Sequence, residues 1–234
     1  MEKKLIQKIW NDKNYFSKGK RGLIYLAEVN GKKYCVKTKN PDSDKENPAY
    51  FEAENNKRLN TIGVGPKFYY YDSKHECSIR EFVQGLDLFD WIKENKNKKI
   101  FEKLLKKIIL DLLDQCYAMD KARINKLELT HPHKDIIITK NNKPIIIDFE
   151  RCKITNKPKN VSQFCQFLGR GKFSKELENQ GIKLDSDKLL VLAQEYKQNN
   201  QDKKIFEKVK KEITKSSWLF LCLFDFFFKI KLIK

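Results

Sequence analysis

The sequence predicts an α+β protein, with an N-terminal antiparallel sheet carrying one helix and a mainly helical remainder. Three observations lead there. Short runs of β-branched and aromatic residues, separated by turn signals, crowd residues 1–84. One helical stretch, residues 49–60, interrupts them. From Leu86 onward, apolar residues recur at helical spacing.

Taken in order, residues 1–14 read as a short helix with Leu5, Ile6, Ile9 and Trp10 on one face. Gly19 and Gly22 follow, three apart among cations. Residues 23–27 and 33–37 read as paired strands, because Asn30-Gly31 between them is a strong hairpin signal. The glycine segment therefore tops a hairpin and opens no helix, which excludes a Walker-type loop. Residues 41–48 form a polar linker, and Gly63-Val64-Gly65-Pro66 ends the helix that follows. Residues 67–71 and 77–82 add two strands, making four or five in all. Gln84-Gly85 marks the crossing into the second part.

There, Leu88, Trp91 and Ile92 share one face of a short helix. Residues 100–123 are the longest periodic segment, a core helix by its stripe from Leu104 to Tyr117. Ile136-Ile137-Ile138 and Ile145-Ile146-Ile147 flank Asn141-Asn142 as a hairpin. Helices fit residues 160–168 and 188–198. The division is then 1–84, 85–217 and an apolar, basic tail at 218–234. That tail is too short and too interrupted by Asp225 to span a bilayer. It suits packing on the domain, an oligomer contact or a membrane surface.

The 234 residues carry a formal charge of +18. This excess suits polyanionic partners such as RNA, nucleotides or an anionic membrane, and equally suits solvated lysine-rich faces. The six cysteines contain no CxxC pair, which argues against zinc. No apolar leader is visible at the N-terminus, so a reduced cytoplasmic setting, free or peripheral to a membrane, is expected.

The chemistry centres on Ile145-Ile146-Ile147-Asp148-Phe149-Glu150, an apolar strand running into an acid. A carboxylate at a strand end suits Mg²⁺, a hard cation. Asp135, entering the preceding strand, is the expected second metal ligand. Ser17, Lys18, Gly19, Lys20 and Gly22 offer backbone and cations to phosphates. Lys37 ends a strand beside them. Glu52 and Glu54 point about 200° apart on a helix, so only one can face it, and Glu52 is the expected partner because Phe51 and Ala53 give it small and apolar neighbours. Glu128 is placed to orient or deprotonate a hydroxyl. His131 and His133 line the same loop, without a third ligand for zinc.

In this order the elements resemble the protein-kinase-like fold over roughly residues 15–170. Residues 17–25 resemble its glycine-rich loop, Cys35-Val36-Lys37 its lysine strand and Phe51-Glu52-Ala53-Glu54 its αC helix. Residues 79–85 are similar to its hinge, and Ile147-Asp148-Phe149-Glu150 stands where Asp-Phe-Gly is usual. The small size resembles the RIO-like and lipopolysaccharide-kinase-like branch, among small archaeal serine/threonine kinases. The resemblance implies a bilobal protein-kinase-like fold, ATP and Mg²⁺ as cofactors, and γ-phosphoryl transfer to a hydroxyl acceptor on a protein or small molecule. It implies that backbone groups near Glu81 and Val83 meet adenine. The sequence departs from the pattern at Glu128 for the catalytic Asp, Asp135 for the metal-binding Asn and Glu150 for Gly. Two alternatives remain: a nucleotide-binding pseudokinase or ATPase serving as a basic RNA- or ribosome-associated scaffold, and a kinase of a glycan or lipid-linked acceptor.

Overall fold

Alternation along the strands decides where the two faces of the N-terminal sheet go. The computed structural model describes residues 2–215, so the tail expected at 218–234 lies outside the described residues. The chain begins with α1 (Lys3–Asn11), β1 (Asn14–Lys18), β2 (Gly22–Val29) and β3 (Lys32–Lys39). Then come α2 (Pro48–Asn60), β4 (Phe68–Asp72) and β5 (Cys77–Glu81). The five strands form one antiparallel sheet in the order β1-β2-β3-β5-β4. Asn30 and Gly31 both take positive φ at the β2–β3 turn, as a tight hairpin requires.

On one face, Ala27, Val29, Tyr34, Val36, Cys77 and Ile79 are buried with Ile6 and Ile9 of α1. This is the smaller core. The opposite face carries Leu26, Cys35 and Arg80 in one row and Ile24, Lys37 and Ser78 in the next. Polar side chains thus sit on a covered surface, and they need partners from elsewhere in the chain.

The second part contains β6 (Gly85–Asp87), α3 (Leu88–Asn95), α4 (Phe101–Lys121), β7 (Ile124–Asn125), β8 (Ile136–Thr139) and β9 (Pro144–Ile146). It continues with β10 (Lys153–Ile154), α5 (Asn160–Gly169), α6 (Gly171–Asn179), α7 (Ser186–Gln198) and α8 (Lys203–Lys215). Strands β6, β8 and β9 make a three-stranded antiparallel sheet, and β7 pairs with β10. Asp87 caps α3 by accepting from the Phe89 and Asp90 amides at 3.0 Å. The stripe Leu105, Ile108, Ile109, Leu112, Leu113 and Cys116 puts α4 at the centre of the larger core. Leu59 and Val64, from α2 and the loop after it, also belong to that core. Among the described residues no helix is long and apolar enough to cross a membrane.

The α+β class, the Asn141-Asn142 hairpin and the long central helix match the sequence expectation. The first helix stops at Asn11, and residues 14–18 form a strand that the expected helix over 1–14 overran. Helices α6 and α8 and the short strands β6, β7 and β10 were not expected.

Phe149 is the residue that ties the loop after β9 into the larger core, fully buried. Gly65 makes room for it. Its φ is +82°, and a Cβ there would lie 2.5 Å from Phe149 Cε2. Gly65→Ala is therefore expected to lower unfolding stability by about 1–3 kcal/mol. Urea denaturation checks this, and an unchanged midpoint contradicts it.

Candidate functional site

The polar face of the sheet meets its partners in a cleft of about 520 Å³. Strand alternation points Lys37 off the smaller core and toward α2, where it is only 7% exposed. Its Nζ lies 2.9 Å from Asp148 Oδ1, 2.9 Å from Glu150 Oε2 and 3.5 Å from Glu52 Oε2. Glu52, 1% exposed, also accepts the Phe149 amide at 2.8 Å, and its other oxygen is 3.9 Å from Arg80 Nε. Of the two acids on α2, Glu52 faces Lys37, as its small and apolar neighbours suggested, and Glu54 is half-buried away from the lysine.

Asp148 sits in the left-handed region at φ 63°, a conformation that costs a non-glycine residue on the order of 1 kcal/mol. The peptide groups on either side are held. Glu52 takes the Phe149 amide, Asn55 donates to the Phe149 carbonyl at 2.8 Å, and Lys126 donates to the Asp148 carbonyl at 2.5 Å. The bend lets Asp148 face the cleft while Phe149 enters the core.

The roof is the glycine turn. The Gly19 amide donates to the Gly22 carbonyl at 2.8 Å. Asn40, buried, donates its side-chain amide to the Gly19 carbonyl at 3.0 Å, and nothing in the Lys-Thr-Lys-Asn run that it ends marks it in the sequence. Gly22 is required for a reason unrelated to phosphate: a Cβ there would sit 2.8 Å from Lys37 Cε. Glycine leaves the lysine its path.

On the floor, Lys126 is 3% exposed and pairs with Asp135 Oδ2 at 2.9 Å. It was missed because one lysine among 49 basic residues carries no pattern. Glu128, at φ 76° and half exposed, forms an ion pair with Arg151. Glu150 reaches up to Arg21 at 3.1 Å as well as to Lys37. Of the histidines, His131 contacts the Thr130 hydroxyl at 3.1 Å and His133 lies edge-on to Phe89.

These pairings set the charges. Burial would lower the Lys37 pKa, but Glu52, Asp148 and Glu150 together push it above its ordinary value. Burial would raise the Asp148 carboxyl, and the charges of Lys37 and Lys126 hold it below the usual range. Burial raises Asp135 despite the opposing pull of Lys126.

The structure brings Ser17, Lys18, Gly19, Lys20 and Gly22 to one cleft with Lys37, Glu128, Asp135 and Asp148, and Glu52 stands behind Lys37. It does not bring Glu81 and Val83 there. They line a different cleft of about 750 Å³, on the side of Gly65 and Thr139. The Glu81 amide is taken by the Lys67 carbonyl at 2.8 Å, and its carbonyl accepts from the Arg80 guanidinium at 3.3 Å. Among the described residues no group of three or more His, Cys, Asp or Glu gathers as a metal site.

Below the floor, Asp120 fixes the segment that carries Lys126. It accepts the Asn160 amide at 2.8 Å, the Asn160 side chain at 2.7 Å and the Tyr196 hydroxyl at 3.2 Å. Asn160 in turn accepts the Lys126 amide at 2.8 Å.

No protein-family model and no curated protein matches this chain.

Burial raises the Asp120 pKa to about 6, its hydrogen bonds opposing the rise. The folded protein therefore keeps this proton after the unfolded chain has lost it. The stability it contributes is full below the ordinary carboxylate range and is lost as pH rises through about 6. A carboxyl-selective ¹³C NMR titration is expected to place Asp120 near that value. A midpoint in the ordinary range for aspartate contradicts the burial argument.

Proposed function

We propose that this chain is an ATP-dependent phosphotransferase of bilobal, protein-kinase-like architecture that moves the γ-phosphoryl group to a hydroxyl acceptor with Mg²⁺. One observation carries the reading. A buried lysine from the sheet, its helix-borne glutamate and a strand-end aspartate converge under a glycine turn, in one cleft. That is the positioning and charge neutralisation that phosphoryl transfer asks of a protein.

The cofactor's donors are of the right kind. Mg²⁺ binds through one or two carboxylates together with phosphate oxygens and water, so a cage of three protein ligands is not needed. Asp135 and Asp148 line the cleft, and each carboxylate has only one oxygen engaged by lysine. These two residues would hold the ion, which supplies neutralisation of phosphate charge. Lys37, positioned by Glu52, would take α/β-phosphate oxygens, and the turn at residues 17–22 would cover them. Glu128 accepts the proton of the acceptor hydroxyl. The hydroxyl oxygen forms a bond to the γ-phosphorus, and the bridging bond breaks with its electrons passing to the departing ADP. The acceptor is a protein or small-molecule hydroxyl, and the basic charge leaves RNA or an anionic membrane as a docking partner.

A second reading, nucleotide binding without transfer, is supported by the state of Glu128, whose carboxylate is engaged by Arg151. Turnover separates the two. Lys37→Ala and Asp148→Asn are each expected to lower Mg-ATP turnover by about 100-fold or more. Turnover that survives either change contradicts the assignment. ATP binding with no turnover in the wild type favours the second reading.

Glu150 gives a further check. Its carboxylate occupies Lys37 and Arg21, the cations that phosphates would seek. Glu150→Gln is expected to tighten Mg-ATP binding several-fold by removing this competitor, measured by calorimetry. Weaker binding would mean that Glu150 assists the nucleotide.

A further inference from the structure

A second groove, of about 560 Å³, lies between α5 and α7. On α5 its wall is Ser162, Gln163 and Gln166, with Arg170 just past the helix end, and on α7 it is Leu190, Ala193, Gln194, Lys197 and Gln198. Val161, Phe164, Cys165 and Leu168 of α5 and Leu189, Ala193 and Tyr196 of α7 belong to the larger core, and the mostly polar residues beside them line the groove. Four of the chain's nine glutamines are here.

The floor and rim differ in chemistry. Ser162, Gln163 and Ala193 are buried. Gln163, 7% exposed, commits its side-chain amide N–H groups to Asn125 Oδ1 and the Lys126 carbonyl, both at 3.4 Å. That leaves its Oε1 without a partner among the described residues, at the floor of the groove. The Ser162 hydroxyl donates to the Ala193 carbonyl at 3.0 Å, so its lone pairs remain as acceptors. The floor thus accepts hydrogen bonds. At the rim stand Lys159, Arg170 and Lys197, whose side chains have no ion-pair partner among the described residues. No carboxylate lines the groove, in a chain with 31 acidic residues. No aromatic ring lines it either, which disfavours stacking of nucleic-acid bases.

We propose that this groove is a second ligand site, taking a small phosphorylated polyol with its hydroxyls on the Ser162–Gln163 floor and its phosphate between Lys159 and Lys197, which the antiparallel pairing of α5 and α7 sets at the same end of the groove, with Arg170 at the other. Its volume falls in the range of small-molecule sites. Its position adds meaning. Thr130 lines this groove and Glu128 the first cleft, while Gln163 holds the carbonyl of Lys126, whose ammonium pairs with Asp135. Residues 126–130 are therefore the shared wall. The proposal stands independently of phosphotransfer, because binding alone tests it.

The experiment is isothermal calorimetry of the full chain at physiological salt with glucose 6-phosphate, ribose 5-phosphate and glycerol 3-phosphate. Glucose and inorganic phosphate serve as partial probes. At least one phosphorylated polyol is expected to bind with Kd below about 1 mM, and about tenfold more tightly than either partial probe. Lys159→Gln and Lys197→Gln, both exposed positions, are each expected to weaken it about tenfold with an unchanged melting temperature. Lys18→Gln, in the first cleft, should leave it unaltered. Three outcomes overturn the proposal: no binding of the three polyols, binding no tighter than inorganic phosphate, or binding indifferent to both rim variants. Displacement by a short oligouridine, with RNA binding the tighter, overturns it in favour of a nucleic-acid surface.

Discussion

The buried ammonium of Lys37 is the constraint on which the rest of the structure depends. Removing such a charge from water costs several kcal/mol unless close carboxylates offset the loss. Three carboxylates surround it, from α2 and from the loop after β9. Three acids around one base would leave an excess of negative charge, and further cations cancel it. Arg21 pairs with Glu150, Arg80 approaches Glu52, and Lys126 pairs with Asp135. Four cations thus balance four carboxylates. A triphosphate entering this balance brings only negative charge. On the proposed reading it displaces Glu150 from Lys37 and Arg21 or arrives with a divalent cation of its own.

Backbone geometry follows from keeping that network intact. Period-two alternation puts Lys37 and Arg80 on the face away from the smaller core, so the sheet is at once a packing surface and a polar one. Gly22 clears the lysine's path, and Gly65 clears the seat of Phe149. With Phe149 anchored, Asp148 is held in a left-handed conformation that its flanking peptide hydrogen bonds sustain. Asp120 and Asn160 do for Lys126 what Glu52 does for Lys37: a buried acid fixes the element that carries the cation.

Much of this was legible in the residues. Hydrophobic period and turn chemistry gave the class, the β2–β3 hairpin and α4, because burial there is strong and one-sided. Helical angle showed that only one of Glu52 and Glu54 could face Lys37, and the neighbours Phe51 and Ala53 pointed to Glu52. Strand β1 escaped because all five of its residues are exposed and no alternation marks it. Helix α8 escaped because its buried Ile205, Phe206, Val209 and Ile213 are diluted by lysines. Lys126 and Arg80 escaped for a related reason: in so basic a chain, a cation becomes informative only when its burial is known. Glu150 looked like a departure from a motif, and its place against Lys37 depends on a contact between residues 113 positions apart that no local pattern contains.

The two clefts share the wall at residues 126–130, one lined by carboxylates and cations together, the other by cations, amides and hydroxyls without a carboxylate. The central claim concerns the first, and a nucleotide that acylates nearby amines addresses it directly. Treatment with an acyl-phosphate derivative of ATP, followed by peptide mass spectrometry, reports which lysines stand beside the phosphates. The account predicts modification at Lys37 or Lys126, suppressed by excess Mg-ATP. Labelling scattered over exposed lysines and indifferent to Mg-ATP would contradict it.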